Sequence, residues 1–431
     1  MQYKNMLLIF CLFLFSLDAM SQVPTPEEMW QIIQEQQKTI NELKTKLSET
    51  DVKVQQNIEA VEITADAIES STMQSGINDR LTNQTMVGGY GELHYNNLTD
   101  DRLNEGGMSS DDSLERTDFH RYVLFIGHEF SDRIRFFSEF ELEHSLAGDG
   151  APGEIELEQA WIEMDINDMH RVKAGLDILP IGIMNTTHEP NTFFGVERNK
   201  IESEIIPATW WEAGLGINGE LAPGWNYDLV IHNGLKVPTS GGSSFRPRSG
   251  RTKVAEADDT GFATTGRIRY TGIPGLEIGI SGQYQSDISG TADSFDVQAT
   301  LLESHIIWQH NSGVGLRALY ARWDMGGDIG INPASINADN LSGWYIEPSY
   351  RFSIGSEPWG EFGLFARYSM WDERNQISGA HRYEQFEQFS TGLNWWPHNN
   401  VVIKFDAQWQ GANANVDRVL DGINLGLGYQ F

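Results

Sequence analysis

The chain ends with "INLGLGYQF", residues 423 to 431, and stops on that phenylalanine. Ile423, Leu425, Leu427, Tyr429 and Phe431 are apolar, while Asn424, Gly426, Gly428 and Gln430 between them are small or polar. A period of two belongs to a β-strand whose faces meet different surroundings. A last strand in an open sheet leaves an unpaired edge or packs one face on a core, whereas closing it onto the first strand of a barrel removes the edge.

The same alternation recurs upstream. In "RIRFFSEFELEH", residues 133 to 144, Ile134, Phe136, Phe140 and Leu142 share one face, and Arg133, Arg135, Glu139, Glu141 and Glu143 share the other. In "VVIKFDAQWQ", residues 401 to 410, Val401, Ile403, Phe405, Ala407 and Trp409 lie opposite Lys404, Asp406, Gln408 and Gln410. Marking each such run predicts sixteen strands, at about 86–96, 118–130, 133–145, 154–166, 170–178, 210–221, 225–233, 262–271, 275–286, 295–309, 313–324, 341–353, 360–371, 383–396, 400–410 and 420–431. Their connections alternate between short turns ("SD", "NDM", "APG", "GIP", "HNS", "PHN") and longer loops, the asymmetry of a membrane-spanning barrel. A sandwich or propeller supplies many short strands but needs no such two-sided pattern. Trp210 with Trp211, Trp371, and Trp395 with Trp396 lie near strand ends, where interfacial girdles are expected. The predicted fold class is an all-β transmembrane barrel of sixteen antiparallel strands over residues 86–431, with an N-terminal α-helical coiled-coil segment.

With 61 Asp plus Glu against 30 Lys plus Arg, the net charge of -31 argues against nucleic acid as a partner, because phosphate binding needs a basic footprint. Lys4, the apolar run "MLLIFCLFLFSL", and Ala19 and Ser21 read as a signal peptide over residues 1–21. The run is shorter than the roughly 20 residues of a spanning helix. Cys11, the only cysteine, lies inside it, so no disulfide or thiolate site is expected. Residues 22–85 carry Ile33, Ile40, Leu47, Val54, Val61 and Ile68 at seven-residue spacing, which predicts a periplasmic coiled-coil stalk. The second seam position is mostly polar (Thr50, Asn57, Thr64, Ser71), so the stalk is thin, or else a single helix docks on its own barrel.

No GxSxG, HExxH, GxxxxGK[ST] or deaminase zinc signature is present, and no catalytic residue, cofactor or metal is assigned. Glu92 with His94, and His144 beside Glu139, Glu141 and Glu143, have the donors for a divalent ion, but a solvated lumen needs such groups in any case. Residues 180–211, "PIGIMNTTHEPNTFFGVERNKIESEIIPATWW", fill the third external loop, and His188, Glu189, Glu197 and Arg198 are its constriction candidates if it folds inward. The fourth loop, "LKVPTSGGSSFRPRSGRTKVAEADD", carries Lys236, Arg246, Arg248, Arg251 and Lys253 without an intervening acid. Such a cluster suits an anion-attracting mouth. It equally suits a solvated loop that grips lipopolysaccharide phosphates or neutralises the acidic first loop, residues 99–116. Arg133, Arg135, Arg171 and Lys173 complete the pore and anion-binding candidates, beside inward Glu139, Glu141, Glu143, Glu163, Asp165 and Asp177.

"DFHRYVLFIGHEFSDRIRFFSEFELEHS" (118–145), "HEPNTFFGVER" (188–198) and "SGRTK" (249–253) together resemble the phosphate-selective porin family of the O and P type, a likeness covering residues 86–431. The resemblance implies a sixteen-stranded, trimeric outer-membrane channel for small anions, with an arginine-lined approach and a basic constriction. The terminal Phe431 resembles the signal read by the barrel-assembly machinery. The expected function is therefore passive diffusion of small hydrophilic solutes, including anions such as phosphate, by a homotrimer set in outer-membrane lipid and lipopolysaccharide. The competing readings are a narrow or plugged barrel serving as an adhesin or cell-wall anchor through its stalk, and an outer-membrane hydrolase using a base such as His188 or His120.

Overall fold

The computed structural model describes residues 84–99, 113–257, 261–290, 296–327, 333–355, 359–377, 380–413 and 419–431, with seven helical positions between Trp30 and Lys44. The chain divides into two units, Met1–Thr82 and Asn83–Phe431. In the first, Trp30, Gln34, Gln37 and Asn41 are helical and exposed, and Gln37 donates to Asn41 at 3.4 Å. The predicted signal peptide and all six heptad residues, Ile33, Ile40, Leu47, Val54, Val61 and Ile68, lie outside the described residues.

The second unit is a closed antiparallel barrel of sixteen strands, each paired with its neighbours in sequence. They are β1 (Thr85–Thr99), β2 (Leu114–Ser131), β3 (Ile134–Glu143), β4 (Ile155–Asp165), β5 (His170–Ile178), β6 (Trp211–Ala222), β7 (Trp225–His232), β8 (Ala263–Ile273), β9 (Leu276–Gln285), β10 (Val297–Gln309), β11 (Val314–Gly327), β12 (Asn340–Ser353), β13 (Glu361–Ile377), β14 (Ala380–His398), β15 (Val401–Ala412) and β16 (Asp421–Gln430). The terminal strand seals the cylinder, with Tyr90 opposite Gln430 and Asn96 opposite Asn424. The amide of Phe431 donates to the Gly89 carbonyl at 2.9 Å, and the Gly89 amide returns the bond at 3.0 Å. Gly89 is required there, because a Cβ would stand 2.2 Å from the Val123 carbonyl oxygen.

Alternation sorts side chains between two surroundings. On β15, Ile403, Phe405 and Trp409 are exposed on the outer wall, whereas Lys404, Asp406 and Gln408 are buried inside. Exposed Ile162, Leu215, Leu229, Ile280, Leu302, Ile346 and Leu364 continue the apolar jacket around the cylinder. A contiguous apolar belt of this kind needs lipid against it, and closure leaves no backbone edge unpaired there.

Two β-bulges change which residues face inward. Between β3 and β4, Glu139 pairs with Gln159 and Phe140 with Leu157, so Glu158 is the extra residue. Between β1 and β2, Glu92 pairs with Arg121 but His94 with Asp118. Each bulge shifts the inward parity of its strand. Glu156 and Glu158 consequently join Gln159 and Trp161 in facing the lumen.

The girdle expectation is corrected at four tryptophans. Trp210, Trp211, Trp371 and Trp396 are buried inside the barrel rather than set at an interface. Trp395 does face outward, in a stack with Phe362, Phe352 and Tyr350 at centroid spacings of 5.7, 5.9 and 5.7 Å. Exposed Trp225, Trp344, Trp359 and Trp409, with half-buried Trp308, supply the remaining outer tryptophans among the described residues of the barrel. The inward ones are occupied by the loops described next.

Candidate functional site: the loop-lined lumen

Loop 3, residues 179–210 between β5 and β6, folds into the barrel. Its Leu179, Ile181, Ile183, Phe193, Phe194, Ile201, Ile205 and Trp210 are all buried. The wall that receives it is apolar, formed by Leu301 of β10, Leu319, Ala321 and Trp323 of β11, Leu341 and Tyr345 of β12 and Trp371 of β13. Trp323 donates its indole N–H to the Ile205 carbonyl at 2.8 Å and lies 6.2 Å from Trp210. Glycines on the lumen face permit the approach: a Cβ on Gly343 would stand 2.9 Å from Ile201, and one on Gly428 would stand 2.3 Å from Pro190.

Two buried polar side chains tie the loop to itself. Asn185 donates to the carbonyls of Leu179 (2.8 Å) and Trp210 (3.0 Å) and accepts from the Trp210 amide (2.7 Å), which pins the two ends together. Glu202, in the π-helical turn Ile201–Ile205, accepts from the amides of Ile183 (2.9 Å) and Met184 and from the Tyr345 hydroxyl at 2.8 Å. Neither residue stands out in the sequence, because their partners are mostly backbone groups that carry no residue code and, for Glu202, a tyrosine 143 residues away.

Loop 4, described over residues 233–257, crosses over loop 3 rather than standing free at the mouth. Arg246 makes a two-pronged contact to Glu204 Oε2, at 3.1 and 2.5 Å. Arg248 donates to the carbonyls of Ser203 (3.0 Å) and Ala208 (2.9 Å), and Arg251 to that of Thr209 (2.5 Å). Arg198 of loop 3 reaches the hydroxyl of the same Thr209 at 2.8 Å. Lys253 binds Glu154 (2.5 Å) and Glu156. Burial and the neighbouring Arg251 push Arg248 down to about 10. Burial would raise Glu204, but Lys200 and Arg246 hold it below its ordinary range.

Opposite these cations stands an acidic wall on β1 to β4. Glu92, Glu139, Glu141 and Glu158 are buried, with Arg121 among them. Arg121 donates to Glu92 at 2.6 Å and to the His188 carbonyl at 2.6 Å, so it fastens loop 3 to the charged side as well. His94 bridges Glu92 (2.9 Å) and Glu197 (3.1 Å), and Asn96 adds a bond to Glu197 at 2.9 Å. The His188 ring lies 3.5 Å from Glu139 and 3.6 Å from Glu158. Glu189 is half-buried and accepts at its carbonyl from the Thr192 amide at 3.0 Å. Nearer the mouth, Asp118 accepts from His144 at 2.8 Å, and His120 stacks on His94 at 4.6 Å.

Between the walls lies a chamber of about 840 Å³, lined by Arg121, Arg198, Arg248, Arg251, Lys253 and Arg367 together with Glu92, Glu141, Glu156, Glu158, Glu197 and Asp406. A second cavity of about 220 Å³ is lined by Lys173, Asp177, Pro180, Thr186, Asp228 and Arg267. Loop 3 contributes to both and so divides the lumen. Of the sequence candidates, Glu197, Arg198, Arg248, Arg251 and Lys253 line the larger chamber, while His188 and Arg246 stand behind its lining residues Glu158 and Glu204. Arg135, Arg171 and Lys173 sit nearer the short turns, where Arg135 pairs with Glu163 (2.8 Å) and Asp165, Arg171 with Asp165 (3.1 Å), and Lys173 with Asp177 (3.0 Å). Arg133 is exposed in the β2–β3 turn, and Lys236 packs its stem against Gly290.

No family model matches the chain. An uncharacterized protein of Aquifex aeolicus (strain VF5) is 28% identical over 340 residues, 74% of this chain and 74% of that one. Among solved structures, the fold is similar to the anion-selective porin from Comamonas acidovorans, with TM-score 0.52 and 11% identity over 80% of this chain and 99% of that one. It is also similar to Salmonella typhi OmpF in complex with daunomycin (0.53, 12%, 80% and 97%) and to the outer membrane channel DcaP of Acinetobacter baumannii (0.50, 11%, 80% and 97%). The closed sixteen-stranded barrel of this chain has the fold of the outer-membrane porins.

Proposed function

We propose that this protein is an outer-membrane porin through which small hydrophilic solutes diffuse passively, with anions such as phosphate favoured. The observation that carries the reading is a charged chamber of about 840 Å³ inside a barrel jacketed with apolar side chains. The anion preference rests on Arg198, Arg248 and Arg251. All three line the chamber, Arg198 and Arg251 meet on Thr209, and the Nε of Arg251 is buried without a partner. A guanidinium carries five donors, so each keeps N–H groups beyond those bound to loop 3, and these match carboxylate or phosphate oxygens. The resemblance of 188–198 and 249–253 to phosphate-selective porins points the same way. A homotrimer, with lipid and lipopolysaccharide around the outer belt and assembly guided by the C-terminal strand, completes the proposal.

The test is the reversal potential of the purified protein in a planar bilayer across a potassium chloride gradient. Wild type is expected to give stepwise conductance and a chloride-favouring potential that moves several-fold toward cations in an Arg248→Ala/Arg251→Ala variant. An unaltered potential would assign control to the facing carboxylates and remove the anion preference. A protein that inserts but passes no current would favour the plugged-barrel reading.

A further inference from the structure

Where loop 3 meets the acidic wall, three donors from separate elements converge: His188 of the loop, Glu139 of β3 and Glu158 of β4, all buried. The His188 Nε2 lies 3.5 Å from Glu139 Oε1 and 3.6 Å from Glu158 Oε2. These are too long for good hydrogen bonds. Both His188 Nε2 and Glu158 Oε2 are buried polar atoms without a hydrogen-bond partner, and so are the neighbouring Glu141 Oε2 and Arg121 Nη1. Such orphans are uncommon in native interiors, where an ordered water or an ion satisfies them.

The spacing indicates which. Ligands about 2.0–2.1 Å from a zinc-sized ion at tetrahedral to trigonal angles are separated by roughly 3.3–3.6 Å. A hydrogen-bonded cluster would instead contract to about 2.7–3.0 Å. The imidazole is held for the task, since its Nδ1 lies 3.2 Å from the Asn185 carbonyl. Donation there leaves the Nε2 lone pair directed at the carboxylates, as in metal-bound histidines whose other ring nitrogen donates to a carbonyl. Glu158 is the extra residue of the β3–β4 bulge, and without that bulge it would point to lipid. Glu158 also lines the larger chamber, which gives an ion a way in.

We propose that Glu139, Glu158 and His188 form a binding site for one first-row divalent cation, zinc being the probe of choice, that clips loop 3 to the barrel wall. One imidazole and two carboxylates suit such an ion, and three protein donors leave a fourth position for water. The ion also offsets the charge of the acidic wall, where the four buried carboxylates Glu92, Glu139, Glu141 and Glu158 stand close together. The site is independent of whether the chamber conducts.

The experiment is zinc titration calorimetry, with elemental analysis, on the full chain purified in detergent and stripped with a chelator. Wild type is expected to take up one zinc per chain. His188→Gln and the isosteric Glu158→Gln should each weaken binding by about 100-fold or more, the upper end of what loss of a supporting group alone does. His144→Gln, at the mouth, should leave it unchanged, and heat-modifiable migration on gels reports that each variant is a folded barrel. Absence of stoichiometric binding would overturn the site and leave His188 as an imidazolium between two carboxylates. Binding that survives both lumen variants, or is lost only in His144→Gln, would overturn it too and move the ion to the mouth.

Discussion

At the scale of single residues, the glycines of "INLGLGYQF" show how a lumen face is shaped by what must fit against it. Read alone, Gly426 and Gly428 are the small members of a polar face. In the barrel they are the places where loop 3 touches β16, with Pro190 over Gly428 and Val196 over Gly426. That role was not legible, because the partner comes from a loop more than two hundred residues away and the strand pattern is satisfied by any small side chain. A Cβ at Gly428 would stand 2.3 Å from Pro190, closer than carbon atoms approach, so the loop must shift. Gly428→Ala is therefore expected to cost about 1–3 kcal/mol, the usual penalty of overpacking. Chemical denaturation checks this, and an unchanged midpoint with unchanged unit conductance would show that Pro190 does not rest on β16.

At the scale of elements, the strands were legible, whereas the inward course of loop 3 stood only as one of two alternatives, for one physical reason. A strand between lipid and a polar lumen carries its pattern locally, as in residues 133–144 and 401–410, and all sixteen strands stand where that pattern put them. Loop 3 folds inward because Trp323, Tyr345 and Gly343 on distant strands make a surface for it, and no local period records that. For the same reason the basic run of loop 4 reads as a free cation cluster, although Arg246 is tied to Glu204 and Lys253 to Glu154 and Glu156. The Arg246–Glu204 clasp has a definite pH dependence. Lys200 and Arg246 hold the Glu204 carboxyl below its ordinary range, against the opposing effect of burial. A depressed folded value means the clasp is at full strength above the unfolded carboxyl value, about 4.3, and is lost as pH falls through the folded value. Glu204→Gln should therefore destabilise by about 1–2 kcal/mol at pH 7, as expected for a largely buried charge-assisted bond. The gap between wild type and variant should narrow as pH drops below about 4, and a gap of constant size across that range would show that Glu204 acts only through packing.

At the scale of the whole molecule, the lumen is two-sided. The wall from β10 to β14 carries an apolar core that loops 3 and 4 cover, whereas β15, β16 and β1 to β4 present Lys404, Asp406, Asn424, Glu92, Arg121, Glu139, Glu141 and Glu158. The loops settle where apolar area can be buried, so the open chamber is displaced toward the charged side. Loop docking and barrel closure are thereby separable, since the first rests on packing inside and the second on the backbone ladder from β1 to β16. Trp323→Ala distinguishes them. It removes a fully buried indole, its contact with Trp210 and its bond to Ile205, a loss on the order of 3–5 kcal/mol for a core tryptophan. The expected outcome is a barrel that still migrates as a folded species on unheated gels while its loops undock, seen as faster proteolysis within residues 179–210 and a larger, noisier single-channel conductance. Loss of the folded species altogether would mean that the inner core, and not the strand ladder alone, holds the cylinder closed.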